Sequence, residues 1–251
     1  MSTTTFISRN LLRWAAVLLL AGILVTFLAG SSHPDHVDAN DHSAAFTEYS
    51  NDKDWVLVHL GQFIGMAIII AGLLAMFSAL NIHSGAAELV GKFGVVSAVV
   101  ALGLYGVLQA VDGVALKQAV DAWAHAPEVE KAARLASAEA IRWMEWAVRS
   151  YQSFMLGLTF ILFAAAAVWS ARLPKMIGCL MAISGLAYLA QGWVLGVEGF
   201  SQSNAIPTLT GIISIVAWSV WLLIFAIRMK ESQQPQGYPN SLVEAVQSSG
   251  R

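Results

Sequence analysis

Six stretches of the chain are apolar over a length that suits a bilayer: residues 12–30, 55–80, 93–114, 150–171, 176–198 and 206–228. A hydrocarbon core of about 30 Å is crossed by roughly 20 helical residues. Each stretch therefore predicts one transmembrane helix, and the set predicts an all-α, six-helix membrane bundle over residues 1–230. The first stretch follows Arg9 and Arg13, as the apolar part of a signal peptide would. Trp14–Ala29 is long for that role, and Leu28-Ala29-Gly30-Ser31 is a poor cleavage site, so the segment reads as a retained signal anchor.

The polar residues within these stretches sit at particular depths. Helix two carries His59 and Gln62, one turn apart near its start. Helix three carries Tyr105, Gln109 and Asp112 at i, i+4, i+7, near its end. Helix four is entered through Arg142, Glu145, Arg149 and Gln152, which fall within an arc of about 80° at 100° per residue. Helix five has Tyr188, Gln191 and Glu198 on one stripe toward its end, and helix six begins with Thr208 and Thr210. Consecutive helices alternate in direction, so these groups all belong to one end of the bundle. The opposite halves are almost entirely Leu, Ile, Val, Ala and Phe.

Two connections are substantial. Residues 31–54 predict an acidic loop with Asp35, Asp38, Asp41, Glu48, Asp52 and Asp54. Residues 116–149 mix Ala, Glu, Lys and Arg at helical spacing. Pro127 followed by Glu128 and Glu130 marks a helix start with its acids in the first turn, running on into helix four. The Gln-, Pro- and Ser-rich residues 231–251 predict a disordered tail. Cations flanking the first helix favour cytoplasmic N- and C-termini. On that orientation both connections, and the polar end, are extracytoplasmic.

Composition narrows the chemistry. The chain is 57% apolar and 12% charged, about half the charge of a soluble domain. A net charge of −2 with no basic stripe gives nucleic acid no footprint. The single cysteine, Cys179, forms no metal or redox motif and is expected to be a small buried hydrophobe.

Ionisable groups inside a membrane are costly and mark function by default. His59, Gln62, Gln109, Asp112, Arg142, Glu145, Arg149, Gln191 and Glu198 are accordingly the candidate ligand-binding residues of one polar pocket. His59 with the three acids could hold a metal ion through nitrogen and oxygen; the arginines could hold a carboxylate or phosphate. The plainer reading is a structural network, since Arg142–Glu145 and Glu145–Arg149 have ordinary intrahelical ion-pair spacing. In the acidic loop, His33, His36 and His42 are a second metal candidate. They lack the spacing and glycine of a calcium loop, so a solvated loop is the plainer expectation there.

The runs Trp55-Val-Leu-Val-His59-Leu-Gly-Gln62-Phe63, Leu108-Gln109-Ala-Val-Asp112-Gly-Val-Ala-Leu-Lys117 and Arg142-Trp143-x-Glu145-Trp146, with Gln191-Gly192 and Glu198-Gly199, resemble an uncharacterised family of six-helix bacterial inner-membrane proteins. The resemblance spans about residues 10–230. It implies the topology and carries no activity.

Three functional classes follow. One is a membrane binding or accessory protein holding a small polar ligand, lipid headgroup or ion. Another is a membrane-embedded enzyme using His59 with Asp112 or Glu145 as acid and base. The third is a subunit packed against a membrane-protein partner.

Overall fold

The computed structural model describes residues 7–34 and 36–229; the tail expectation for 231–251 lies outside the described residues. Among those residues the chain is helical without strands: α1 (Arg9–Gly30), α2 (His42–Asn51), α3 (Trp55–Leu80), α4 (Gly85–Ala110), a π-helical turn (Val111–Leu116), α5 (Lys117–Ala124), α6 (Glu128–Ser170), α7 (Lys175–Glu198), a 3-10 turn (Gln202–Asn204) and α8 (Ala205–Arg228). Six helical units are long and apolar enough to cross a membrane, with α4, the π turn and α5 forming one continuous rod. The protein is an all-α polytopic membrane bundle.

The six long helices close into a ring, each packing mainly on its two neighbours in the order α1, α3, α4, α6, α7, α8 and back to α1. Where lipid is the solvent, water does not drive helices together, and close backbone approach supplies the attraction. Two seams show this. A Cβ built on Gly22 of α1 would stand 2.7 Å from the Gly65 carbonyl of α3. One built on Gly157 of α6 would stand 2.7 Å from the Gly185 carbonyl of α7. Gly61 and Gly65, and Gly192 and Gly196, stand four residues apart, a spacing that suits close helix packing; Gly61, Gly192 and Gly196 face Ala29, Ser150 and Phe154 in the same way.

Helix α6 begins directly after Pro127 and runs for 43 residues. At 1.5 Å per residue that is about 65 Å, twice the hydrocarbon thickness, so its first turns project beyond any bilayer. The projecting part meets a second apolar cluster of Ala45, Phe46, Tyr49, Trp55, Leu116, Val120 and Ala138. This cluster revises the expectation of a loop over 31–54. Asp41 caps a helix there, accepting from Ala44 N at 3.1 Å. Ala45, Phe46 and Tyr49 form its buried face.

At the other end, cations close helix termini. Arg13 donates from Nε to Ala226 O at 3.1 Å and Arg172 donates to Leu80 O at 2.8 Å, meeting carbonyls that the last turns of α8 and α3 leave open. Cys179, expected to be buried, is exposed on α7. On the flank of a membrane bundle an exposed face meets lipid, so a thiol has no need of a protein interior.

Candidate functional site

The polar site is assembled by three features of the chain. The first is the π turn. Its wider winding carries Asp112 and Gly113 at the point where α3 comes nearest, and such turns recur at functional positions. A Cβ on Gly113 would stand 2.6 Å from His59 Cβ, so glycine there is what admits the imidazole. Trp55 Nε1 donates to the Asp112 carbonyl at 3.0 Å. His59, 2% exposed, has Nδ1 2.7 Å from Trp55 O and Nε2 2.9 Å from Asp112 Oδ2. A carbonyl only accepts, so Nδ1 carries a proton, and one further proton is shared between Nε2 and the carboxylate.

The second feature is the stripe on α6. Arg142 and Glu145 are buried, and Arg142 NH1 donates to Glu145 Oε2 at 2.5 Å. The other guanidinium nitrogen reaches Tyr49 Oη at 3.2 Å and Ala39 O at 3.4 Å. Its plane lies over Phe200, 4.9 Å from the ring centroid. Arg149, two turns on, lies over the Tyr105 ring at 5.8 Å. It has no carboxylate partner among the described residues.

The third feature is the 31–54 segment folded across the end of the ring. Asn40 fastens it, donating to Glu198 O at 3.0 Å and accepting from Phe200 N at 3.1 Å. Beneath it lies a cavity of about 420 Å³, lined among others by Thr26, His33, Gln62, Gln109, Asp112, Arg142, Glu145 and Arg149. Four buried polar atoms of this lining have no hydrogen-bond partner among the described residues: Thr26 Oγ1, Gln109 Oε1, Asp112 Oδ1 and Arg142 Nε. Buried polar groups are nearly always paired with protein or water, so four orphans around one space point to what fills it.

Most of the residues predicted from the sequence meet here. Gln62, Gln109, Asp112, Arg142, Glu145 and Arg149 line the cavity, with Gln109 Nε2 donating to Gln62 Oε1 at 3.4 Å. His59 stands behind Asp112. Gln191 is one residue removed; it accepts from Ser153 and donates to Thr208, and Thr208 reaches the cavity. Glu198 does not join the group. Its side chain is exposed and accepts from Ser201 at 2.7 Å, because the last turn of α7 carries it past the ring.

The loop histidines separate. His36 pairs with Glu48, and His42 lies 3.4 Å from Glu139. His33 instead turns inward, its ring 5.4 Å from that of His59 and 4.9 Å from Trp55. Among the described residues the three make separate contacts, and of them only His33 falls in a group of possible metal ligands. Tyr49, Thr26 and Phe200 also join the lining unannounced. Helical spacing of Phe46 and Tyr49 within 42–51 was the available signal for Tyr49; a loop position such as Phe200 offers none.

Residues 6–226 match the family model described as Domain of unknown function (DUF4386), and the chain belongs to that membrane-protein family. No curated protein and no solved structure matches the chain.

Proposed function

We propose that this protein binds a single-chain amphiphile with an anionic headgroup, the headgroup in the polar cavity and the tail in an adjoining apolar groove. One observation carries this reading. A groove of about 660 Å³, lined by Leu20, Ile23, Leu24, Phe27, Ile212 and Ile215 with others, shares Thr26 and Gly30 with the polar cavity. A polar space opening onto an apolar one, each within the size range of ligand sites, matches a molecule with two such ends. The sign of the headgroup follows from the charges. Asp112 and Glu145 are each paired, with His59 and Arg142, and Arg149 is the remaining cation of the lining. A guanidinium offers two parallel donors to a carboxylate or phosphate.

Binding of fluorescent lysophosphatidic acid to the protein in detergent tests this. Arg149→Leu should weaken it about tenfold or more, the effect of losing a charge-assisted contact of roughly 1.5–3 kcal/mol. Ile212→Trp, filling the groove, should do the same. Equal binding of inorganic phosphate, or indifference to both changes, would overturn the proposal.

A second reading follows from the His59–Asp112 pair. Asp112 faces the cavity and shares a proton with His59, so a proton-transfer role would belong to Asp112, with His59 as its positioning partner. Glu145 is engaged by Arg142 instead. Under this reading Asp112→Asn abolishes turnover of a bound amphiphile while leaving its affinity within a few-fold.

Orientation is part of the same proposal: both termini cytoplasmic in the bacterial inner membrane, the cavity facing outward. In intact cells, a cysteine replacing Ser43 should react with an impermeant thiol reagent, and one replacing Ser84 should not. Both positions are exposed, at opposite ends of the bundle. The reverse labelling would turn the cavity toward the cytoplasm.

A further inference from the structure

We infer that His33, His59 and Asp112 form a binding site for one divalent first-row transition ion in the wall of the polar cavity. Each residue offers a ligand atom, and these atoms lie within 4.8 Å of one another. Ligands of a zinc-like ion with bonds of about 2.1 Å stand ~3.4 Å apart in a tetrahedron and ~3.0 Å apart in adjacent octahedral positions. The His59 Nε2–Asp112 Oδ2 separation of 2.9 Å already has the octahedral value, and a small swing of His33 completes a face.

Two further observations point to an ion. Metal-binding histidines usually donate their other ring nitrogen to a carbonyl or carboxylate, which fixes the ring and its lone pair. His59 Nδ1 meets Trp55 O at 2.7 Å and His33 Nδ1 meets Pro34 O at 3.1 Å. Both contacts fix a ring, and that of His59 turns Nε2 toward Asp112. Asp112, besides the oxygen it gives to His59, buries Oδ1 without a partner among the described residues, an acceptor for the ion or for a water upon it. Trp55 packs against both imidazoles, with ring centroids 4.9 Å from His33 and 4.5 Å from His59, and its indole is held by the Asp112 carbonyl. The same aromatic ring orients both imidazole ligands.

Two imidazoles and one carboxylate on one face leave the opposite coordination positions open, the arrangement that suits zinc, iron(II) or their neighbours and not calcium or magnesium. Binding replaces the proton held between His59 and Asp112, so an ion entering the site releases it. His33 and Asp112 line the cavity, so water or the proposed headgroup there would complete the shell. The ion site itself depends only on these three residues.

The test uses the full chain in detergent, stripped with chelator and then dialysed against Zn2+. One zinc per chain is expected, resistant to excess Ca2+ and accompanied by a rise in unfolding temperature. X-ray absorption on the unaltered protein should show two imidazoles and an oxygen; a shell of oxygen only would overturn the inference. His33→Ala, in a connection and not in the ring, should lower zinc affinity at least as far as losing an outer-shell partner does, about 10–100-fold. His36→Ala and His42→Ala should leave it unchanged. Absence of bound zinc, or wild-type affinity in both His33→Ala and Asp112→Asn, would also overturn it. Arg149→Leu separates this inference from the amphiphile proposal, because zinc should remain where lysophosphatidic acid is lost.

Discussion

Replacing Arg142 by Ala should destabilise the protein by about 3–5 kcal/mol, the cost of stranding a buried charge. The side chains of Arg142 and Glu145 are 4% and 2% exposed, so water cannot compensate the carboxylate left behind. The guanidinium also ties the 31–54 segment to α6 through Tyr49 Oη and Ala39 O, and those contacts go with it. Removing both charges should hurt less than removing one. An Arg142→Met/Glu145→Leu protein, which fills the space with apolar groups, should be on the order of 2 kcal/mol more stable than either Arg142→Met or Glu145→Leu alone, because each single change strands the other charge. Denaturant unfolding of the four proteins in one detergent measures this. If the losses add to within about 0.5 kcal/mol, the pair is not the structural unit described here.

A second large effect is expected at the α6–α7 seam. Gly157→Leu should lower folded yield sharply and destabilise what folds by about 3 kcal/mol or more, beyond ordinary overpacking. A Cβ there would meet the Gly185 carbonyl at 2.7 Å and Leu189 N at 3.0 Å. Both are backbone atoms, so no rotamer change relieves the clash and the helices must part. The cavity would open with them, since α6 carries Arg142, Glu145 and Arg149. Gly103→Leu is the control. Nothing lies within 4 Å of a Cβ at Gly103, and it should behave as the unaltered protein does. Monodisperse elution and thermal unfolding of the two variants make the comparison; equal behaviour would mean the helices do not depend on this contact.

The number and span of the membrane helices, and the gathering of their polar residues at one end, were legible in the sequence. The physical reason is that lipid imposes a length and penalises charge everywhere except where charges share partners. Gly61, Gly192 and Gly196 were legible for a related reason, as close backbone contact is the main attraction left between helices in lipid. Helical periodicity aligned Arg142, Glu145 and Arg149 because they belong to one rigid rod. Those features are local, and one turn of helix is enough to read them.

Only the tertiary structure decided how residues from separate elements meet. The chain alone distinguishes neither His33 from His36 and His42 nor Asp112 from Glu198: all are polar residues near a helix end. Their fates diverge because the connection 31–54 folds back as a helix over the ring, turning His33 toward His59, while α7 carries Glu198 beyond it. Gly113 reads as an ordinary glycine until α3 arrives against the π turn and needs the space for His59. The joining of the polar cavity to the apolar groove is of the same kind. Thr26 and Gly30 connect them only because the ring closes α1 against both α3 and α8, a contact between the two ends of the chain that no local pattern encodes.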